Sequence, residues 1–284
     1  MEEAIKKADV LIEALPYIKS FHKKSIVIKY GGSILGEDKI RQGVLEDIVF
    51  LSYVGIRPIL VHGGGPNISD RMRSAGKKTD FSDGMRVTDP ETLTIVEEEL
   101  EELNKKIVKE INELGAKAVG LNGKNGIILV NKKKAKIDLG LVGEITEINT
   151  EPIKKELTNG VIPVICPMGQ GKLDKKTYNV NADESAAYIA GALLAEKLVL
   201  LTNVKGIMRR ADDPHSFIST LTIEGTKNLI KEKVVQEGMI PKVQACIRAL
   251  ESKVKKTHII DARLPHAILL EIFTDKGIGT EITD

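Results

Sequence analysis

Ile26-Val27-Ile28-Lys29-Tyr30-Gly31-Gly32-Ser33, close to the N-terminus, is the stretch on which the reading of this chain turns. It is a short apolar run, with a lysine near its end and two glycines directly after it. Such a run favours a strand, and paired glycines let backbone approach a ligand more closely than any Cβ permits. A lysine carried there on a rigid strand suits a phosphate or a carboxylate. The same residues also describe an ordinary strand ending in a turn, with Lys29 in solvent, so the rest of the chain has to decide.

Upstream, Ile5, Ala8, Ile12 and Leu15 recur at helical spacing within residues 3–20, which predicts an amphipathic helix kinked at Pro16. Because it precedes the first strand, its apolar stripe faces either its own domain or another subunit. Downstream, a helix over 37–53 and a strand over 58–62 lead into Gly63-Gly64-Gly65-Pro66. This reads as a strand-to-helix turn, since proline suits the first helical position, and the free N–H groups of that helix end form a site for an anion. Asp83-Gly84-Met85-Arg86-Val87-Thr88-Asp89-Pro90 follows, placing Arg86 in a loop where its fork can grip a carboxylate. Then Leu93, Val96, Leu100, Leu103, Ile107, Ile111 and Leu114 mark the clearest helix of the chain, with a stripe long enough for a dimer interface. Its acidic run Glu97 to Glu102 reads as a solvated face, with Glu101 and Glu102 each four residues before a lysine.

Short β-type segments over 118–121, 127–130, 141–148 and 161–166 come next, with Thr150 as N-cap of an intervening helix, and a change of lobe falls near residue 175. In Tyr178-Asn179-Val180-Asn181-Ala182-Asp183-Glu184, the three Asx residues alternate and converge if the segment is extended, just before a small-residue helix over 185–196. A strand over 197–203, a turn through Val204-Lys205-Gly206-Ile207 and a loop at Asp212-Asp213-Pro214 precede Gly238-Met239-Ile240-Pro241-Lys242-Val243, which opens another helix. A lysine in a first helical turn opposes the helix dipole unless an anion lies nearby. A strand over 257–261, a helix over 264–273 and a final turn and strand over 277–282 close the chain. The alternation predicts an α/β fold: a three-layer αβα sandwich with a mainly parallel central sheet and two lobes.

Composition removes several classes. With 42 Lys+Arg against 40 Asp+Glu and a net charge of +2, nothing favours a nucleic-acid or membrane partner. Cys166 and Cys246 are far apart without C-x-x-C spacing, so they read as buried apolar residues of a cytoplasmic protein, not as metal ligands or a disulfide. The first 25 residues lack an apolar h-region. P-loop, G-x-G-x-x-G, G-x-S-x-G and H-E-x-x-H motifs are absent, and His62 reads as a structural histidine at a strand end. What remains is anion-binding groups without a nucleophile, an inventory that suits phosphoryl transfer by positioning and charge neutralisation.

Lys29-Tyr30-Gly31-Gly32, His62-Gly63-Gly64-Gly65-Pro66, Gly84-Met85-Arg86-Val87-Thr88, Asn179-Val180-Asn181-Ala182-Asp183 and Gly238-Met239-Ile240-Pro241-Lys242-Val243 stand in the order and spacing of the acetylglutamate kinase family. The chain resembles that branch of the amino acid kinase superfamily over nearly its whole length. The resemblance implies that an N-lobe, residues 22–175, binds N-acetyl-L-glutamate and that a C-lobe, residues 176–284, binds ATP with Mg2+ held mainly by the phosphates. It implies Lys29 and Lys242 as catalytic cations organised by Asp183. Gly64, Gly65, Arg86, Asn179 and Asn181 would contact the substrate. Gly31, Gly32, Thr202, Asn203, Gly206, Ile207, Met239 and Lys242 would contact the nucleotide.

Residues 1–21 resemble the extra helix of arginine-inhibited members, which are trimers of dimers, so the resemblance implies a homodimer assembled into a homohexamer, with L-arginine held by Tyr17, Lys197, His266, Glu271 and Gly277. Asn203 and Asn125 depart from aspartates expected there, which touches the nucleotide side. The alternatives are a related carboxylate kinase of lysine synthesis and a non-catalytic arginine-sensing module.

Overall fold

Why the first strand is central is visible in its burial. Every residue from Ile26 to Tyr30 is buried, which requires neighbours on both edges and cover on both faces. The computed structural model describes residues 1–32, 37–82, 84–210, 213–235, 238–275 and 277–284; Ser33, Asp83 and Asp212 of the segments above lie outside them. In chain order the elements are α1 (Glu2–Phe21), β1 (Ser25–Tyr30), α2 (Asp38–Tyr53), β2 (Arg57–His62), α3 (Gly65–Ser74), β3 (Phe81–Ser82), β4 (Met85–Arg86), α4 (Pro90–Glu113), β5 (Ala118–Asn122), β6 (Ile128–Lys132), β7 (Gly143–Ile148), α5 (Glu151–Thr158) and β8 (Ile162–Cys166). There follow β9 (Met168–Gly171), β10 (Thr177–Asn179), α6 (Ala182–Ala192), β11 (Lys197–Thr202), β12 (Ile207–Met208), β13 (Phe217–Ile218), β14 (Thr220–Thr222), α7 (Ile223–Lys231), α8 (Ile240–Glu251), β15 (Lys256–Asp261), α9 (Ala267–Ile272) and β16 (Thr280–Thr283).

Eight strands form one sheet in the order β14-β16-β15-β11-β1-β2-β8-β5. It is parallel from β15 to β5, and β16 meets β15 antiparallel. Alternate residues of β1 enter different cores: Ile26, Ile28 and Tyr30 pack with α2, α4 and α9, whereas Val27 joins α5, α6 and α8. This is the expected αβα sandwich. Strands β6, β7, β9 and β10, however, do not extend the main sheet: they make a second, mostly antiparallel one in the order β10-β9-β6-β7.

Local chemistry moved several boundaries. The helix expected over 185–196 spans Ala182–Ala192, because Asn181 caps it by accepting from Glu184 N–H at 3.0 Å and Leu194 ends it at φ 49°. Asp183 therefore sits in a helical first turn, not in an extended segment. The helix expected over 264–273 begins only at Ala267, since His266 at φ 54° cannot continue a helix. Asn149, not Thr150, supplies the side-chain acceptor for α5, through Glu151 N–H at 3.2 Å. Helix α1 runs on through Pro16. The acidic face of α4 is not merely solvated: Arg71 pairs with Glu98, Glu99 and Glu102, and Lys124 holds Glu97 and Glu101.

Candidate active site

Lys29 stands near the carboxyl end of β1 and is only 6% exposed. Its Nζ lies 2.9 Å from Asp183 Oδ1, while Lys242 Nζ lies 2.9 Å from Asp183 Oδ2. One carboxylate thus spaces two ammonium groups that are more than 200 positions apart in the chain. Each comes from a rigid support: Lys29 from a strand paired on both edges, Asp183 and Lys242 from the first turns of α6 and α8. A helix N-terminus favours Asp183 and disfavours Lys242, so the carboxylate compensates the misplaced lysine. Burial alone would raise the Asp183 carboxyl, but Lys29 and Lys242 outweigh it and hold it well below the usual carboxylate range. Burial also pulls Lys29 below the ordinary lysine value, despite Asp183.

The glycine turns meet around this cluster. Gly63 N–H donates to Tyr30 O at 2.7 Å, and a Cβ on Gly31 would stand 3.0 Å from Lys29 Nζ and 3.1 Å from Gly63 Cα. Gly32 adopts φ +85°, which a side chain would strain. Gly64 precedes α3 and Gly65 begins it, so their N–H groups belong to a helix end. Arg86 lies in the two-strand β3–β4 hairpin, not in a loop. Its Nη2 donates to Gly65 O at 3.0 Å and Ser69 Oγ at 2.8 Å, and its guanidinium lies 4.8 Å from the Phe81 ring centre. Asn179 donates to Thr88 Oγ1 at 3.2 Å, and Thr88 donates to Arg86 O at 2.8 Å. Thr88, which the sequence reading passed over, therefore ties Asn179 to the Arg86 strand. A cleft of about 250 Å³ is lined by Lys29, Gly32, Gly63 to Gly65, Arg86 and Asn179 to Asp183.

On the other side of Lys29, Thr202 ends β11 and is buried beside Asp261 of β15. Asn203 follows directly. Gly206, at φ +140°, leads into Ile207, whose N–H donates to Thr280 Oγ1 at 2.8 Å; a Cβ at Gly206 would lie 2.5 Å from that oxygen. Met239 is the N-cap residue of α8. Thr202, Asn203 and Lys29 thus share the carboxyl edge of adjacent strands. Asn125 does not: it lies in the turn after β5, the strand at the far edge of the sheet from β11. Among the described residues no group of three or more His, Cys, Asp or Glu is gathered as a metal cage.

A second cleft, also about 250 Å³, opens at the amino ends of the same strands and is lined by Tyr17, Lys197, Lys256, His258, Glu271, Gly277 and Glu281 among others. Lys197 Nζ lies 3.1 Å from His258 Nε2, and His258 Nδ1 lies 2.6 Å from Glu271 Oε1. Glu271 also accepts from Ile278 N–H at 2.7 Å, and a Cβ on Gly277 would be 2.6 Å from its Oε1. Tyr17 reaches over from α1 to donate to Asp275 and stacks edge-on against Phe273. His266 is not part of this group. Its Nδ1 sits 2.7 Å from Asp47 Oδ1, in a different cavity, and His258 occupies the position the reading gave it. The missed signal was an ionisable residue inside an otherwise buried strand, Thr257-His258-Ile259. No described helix is long and apolar enough to cross a membrane.

Comparison with known proteins sets these two clefts in context. Residues 24–261 match the amino acid kinase family. The acetylglutamate kinase of Caldanaerobacter subterraneus subsp. tengcongensis is 50% identical over 282 residues, covering 99% of this chain and 94% of the relative. That of Methanocaldococcus jannaschii is 48% identical, covering 100% and 98%. Among solved structures, N-acetylglutamate synthase from Neisseria gonorrhoeae with coenzyme A and N-acetyl-glutamate superposes with a TM-score of 0.87 at 26% identity, over 98% of this chain and 63% of the synthase. The synthase with coenzyme A and L-arginine gives 0.83 at 25%, over 97% of this chain and 65% of the synthase. This chain therefore spans under two thirds of that protein. Carbamate kinase from Giardia lamblia, bound to AMP-PNP, shares the fold, with a TM-score of 0.68 at 18% identity over 92% of this chain and 98% of the kinase. On the family match and the near-complete coverage at half identity, the chain belongs to the acetylglutamate kinase family of the amino acid kinases.

Proposed function

We propose that this chain transfers the γ-phosphoryl group of MgATP to the γ-carboxylate of N-acetyl-L-glutamate, giving the acyl phosphate and ADP in arginine biosynthesis. The observation that carries the reading is the Asp183 carboxylate holding Lys29 and Lys242 one on each oxygen. A carboxylate oxygen attacks phosphorus in line, the bond to the β,γ-bridging oxygen breaks, and ADP departs with that electron pair. The nucleophile is already ionised near neutral pH, so no general base is needed, and none is offered: His62 is buried and neutral. What the reaction needs is stabilisation of charge on the transferring group, which the two ammonium groups supply. Gly64 and Gly65 offer backbone N–H groups to the substrate, Arg86 grips its α-carboxylate with the donors it does not spend on Gly65 and Ser69, and Asn179 and Asn181 border it. Residues 22–175 supply the acyl side and 176–284 the nucleotide side, where Gly31, Gly32, Thr202, Asn203, Gly206, Ile207 and Met239 contact ATP. Magnesium enters as part of MgATP, carried by the phosphates.

The second cleft favours feedback by L-arginine. Its lining carries Glu271, Asp275 and Glu281 against Lys197 and Lys256, an acidic excess that suits a guanidinium, and a fold relative was solved with that amino acid. Helix α1 walls this cleft with Tyr17 and leaves Ile5, Val10, Leu11 and Ile12 more than half exposed, which suits pairing of α1 with a second copy in a hexamer built as a trimer of dimers. ATP-dependent formation of a hydroxylamine-trappable acyl phosphate from N-acetylglutamate, with and without arginine, tests both. No product refutes the kinase reading and leaves the lysine-synthesis sibling, tested by its own substrate, or a sensing module. Product formation indifferent to arginine removes only the regulation.

A further inference from the structure

Two of the buried polar residues that the catalytic description does not use touch one another. Asn104, on α4, is 8% exposed, and His62, the last residue of β2, is fully buried. Asn104 Nδ2 lies 3.0 Å from His62 Nε2 and 3.0 Å from Val164 O. His62 Nδ1 lies 3.2 Å from Gly63 O. These distances assign every proton. A backbone carbonyl only accepts, so the Asn104 atom facing Val164 O is the amide nitrogen. Its second hydrogen then points at His62 Nε2, which must be unprotonated to receive it. The ring proton consequently sits on Nδ1 and is donated to Gly63 O.

That last bond acts on the substrate turn. A trans peptide is planar, with its carbonyl and its N–H on opposite sides. Drawing Gly63 O toward the imidazole therefore turns the following N–H, that of Gly64, the other way, and Gly64 lines the substrate cleft. A separate observation supports the fixed placement of Asn104: a Cβ on Gly120 would lie 2.1 Å from Asn104 Oδ1. Gly120 has no positive φ to explain it, so the space it leaves is occupied by this amide.

We infer that Asn104 is a positioning residue, which fixes the Nδ1–H tautomer of His62 and through it aims the Gly64 N–H at the carboxylate undergoing phosphorylation. This rests on the kinase reading for its consequence but not for its chemistry. The plain alternative is a satisfied buried amide whose loss alters only stability.

Two measurements separate them. In the unaltered protein, 15N NMR of the histidine rings is expected to show His62 protonated at Nδ1 with Nε2 bare; an Nε2–H tautomer overturns the inference whatever the enzyme's activity. Asn104→Asp keeps the shape but removes the donor, so His62 is expected to move its proton to Nε2. KM for N-acetylglutamate should then rise roughly tenfold, the order of effect that a small misplacement of a binding group produces, with KM for ATP little changed. Asn104→Gln, which retains the amide, should recover part of the loss. An equal loss in both variants, or a lower melting temperature with KM intact, refutes the relay. If the unaltered enzyme fails to phosphorylate N-acetylglutamate, the kinase reading falls, and the relay is judged by the tautomer alone.

Discussion

Two charged clusters occupy opposite ends of the same strands, and their signs differ. At the carboxyl end, Lys29 and Lys242 flank Asp183, and Arg86 lines the same cleft. At the amino end, the acids Glu271, Asp275 and Glu281 outnumber Lys197 and Lys256, with His258 between them. The register makes the relation concrete: Ile26 pairs with Lys197, and Lys29 pairs with Leu200. Three residues of strand, roughly 10 Å, thus separate a lysine in an electropositive site from one in an electronegative site. Residue type alone cannot distinguish them. The neighbours brought by folding do, mainly cationic around the first and mainly acidic around the second.

Breaking the first cluster has the larger effect. Lys29→Ala or Lys242→Ala is expected to lower kcat about 100-fold with little change in substrate KM, because each removes a preorganised charge partner of the transition state; steady-state kinetics with retained turnover in either would remove its role. Changing the second cluster should leave turnover intact and alter only its control. Glu271→Gln removes the charge that faces the cleft, and the arginine concentration for half inhibition is expected to rise by roughly tenfold or more, as for loss of a charge-assisted contact. An unaltered inhibition curve contradicts the assignment. Arg86→Lys tests the anion site more gently. It keeps the charge but loses the planar fork, so KM for N-acetylglutamate should rise about tenfold while kcat falls little; a kcat defect with normal KM would move Arg86 from binding to chemistry.

The smallest effect concerns the histidines. His62, in the first region, contacts the Asn104 amide and the Gly63 carbonyl, and burial lowers its pKa from 6.5 to about 4. A pKa lowered by folding means that stability is complete above the unfolded value and is lost as pH falls toward the folded one. By about pH 5.5 the loss should reach roughly 1 kcal/mol. Urea denaturation of the unaltered protein and His62→Gln checks this, since the variant should lose less between neutral pH and that point. His258 in the second region is also lowered by burial, but Glu271 opposes the shift.

How far the residues alone carried this picture depended on range. Lys29, Gly63 to Gly65 and Lys242 stand out because each violates a local preference: a charge in an apolar strand, three glycines before a proline, a lysine at the wrong helix end. Such violations need no partner to be noticed. The departure of β6, β7, β9 and β10 from the main sheet was not visible, since a short apolar alternation looks the same in either sheet. His258 and Asn104 were missed for a related reason. Each sits on a regular element, and its importance lies in what folding places opposite it. His266, which the family resemblance grouped with Glu271, has a left-handed backbone and faces Asp47 on α2.

The continuous ladder has a mechanical consequence. Strand β1 bonds to β2 on one edge and to β11 on the other, so the segments before and after residue 175 share an unbroken sheet with no hinge strand between them. Bringing Lys29 and Lys242 closer around a phosphoryl group cannot proceed by swinging two bodies about a free linker. It has to be taken up as twist distributed over several strands, together with sliding of the helices that cover them. A perturbation of twist at the amino ends, where Lys197 begins β11, would then be felt at the carboxyl ends by the same elastic element, without any chain of side-chain contacts running between the two clefts.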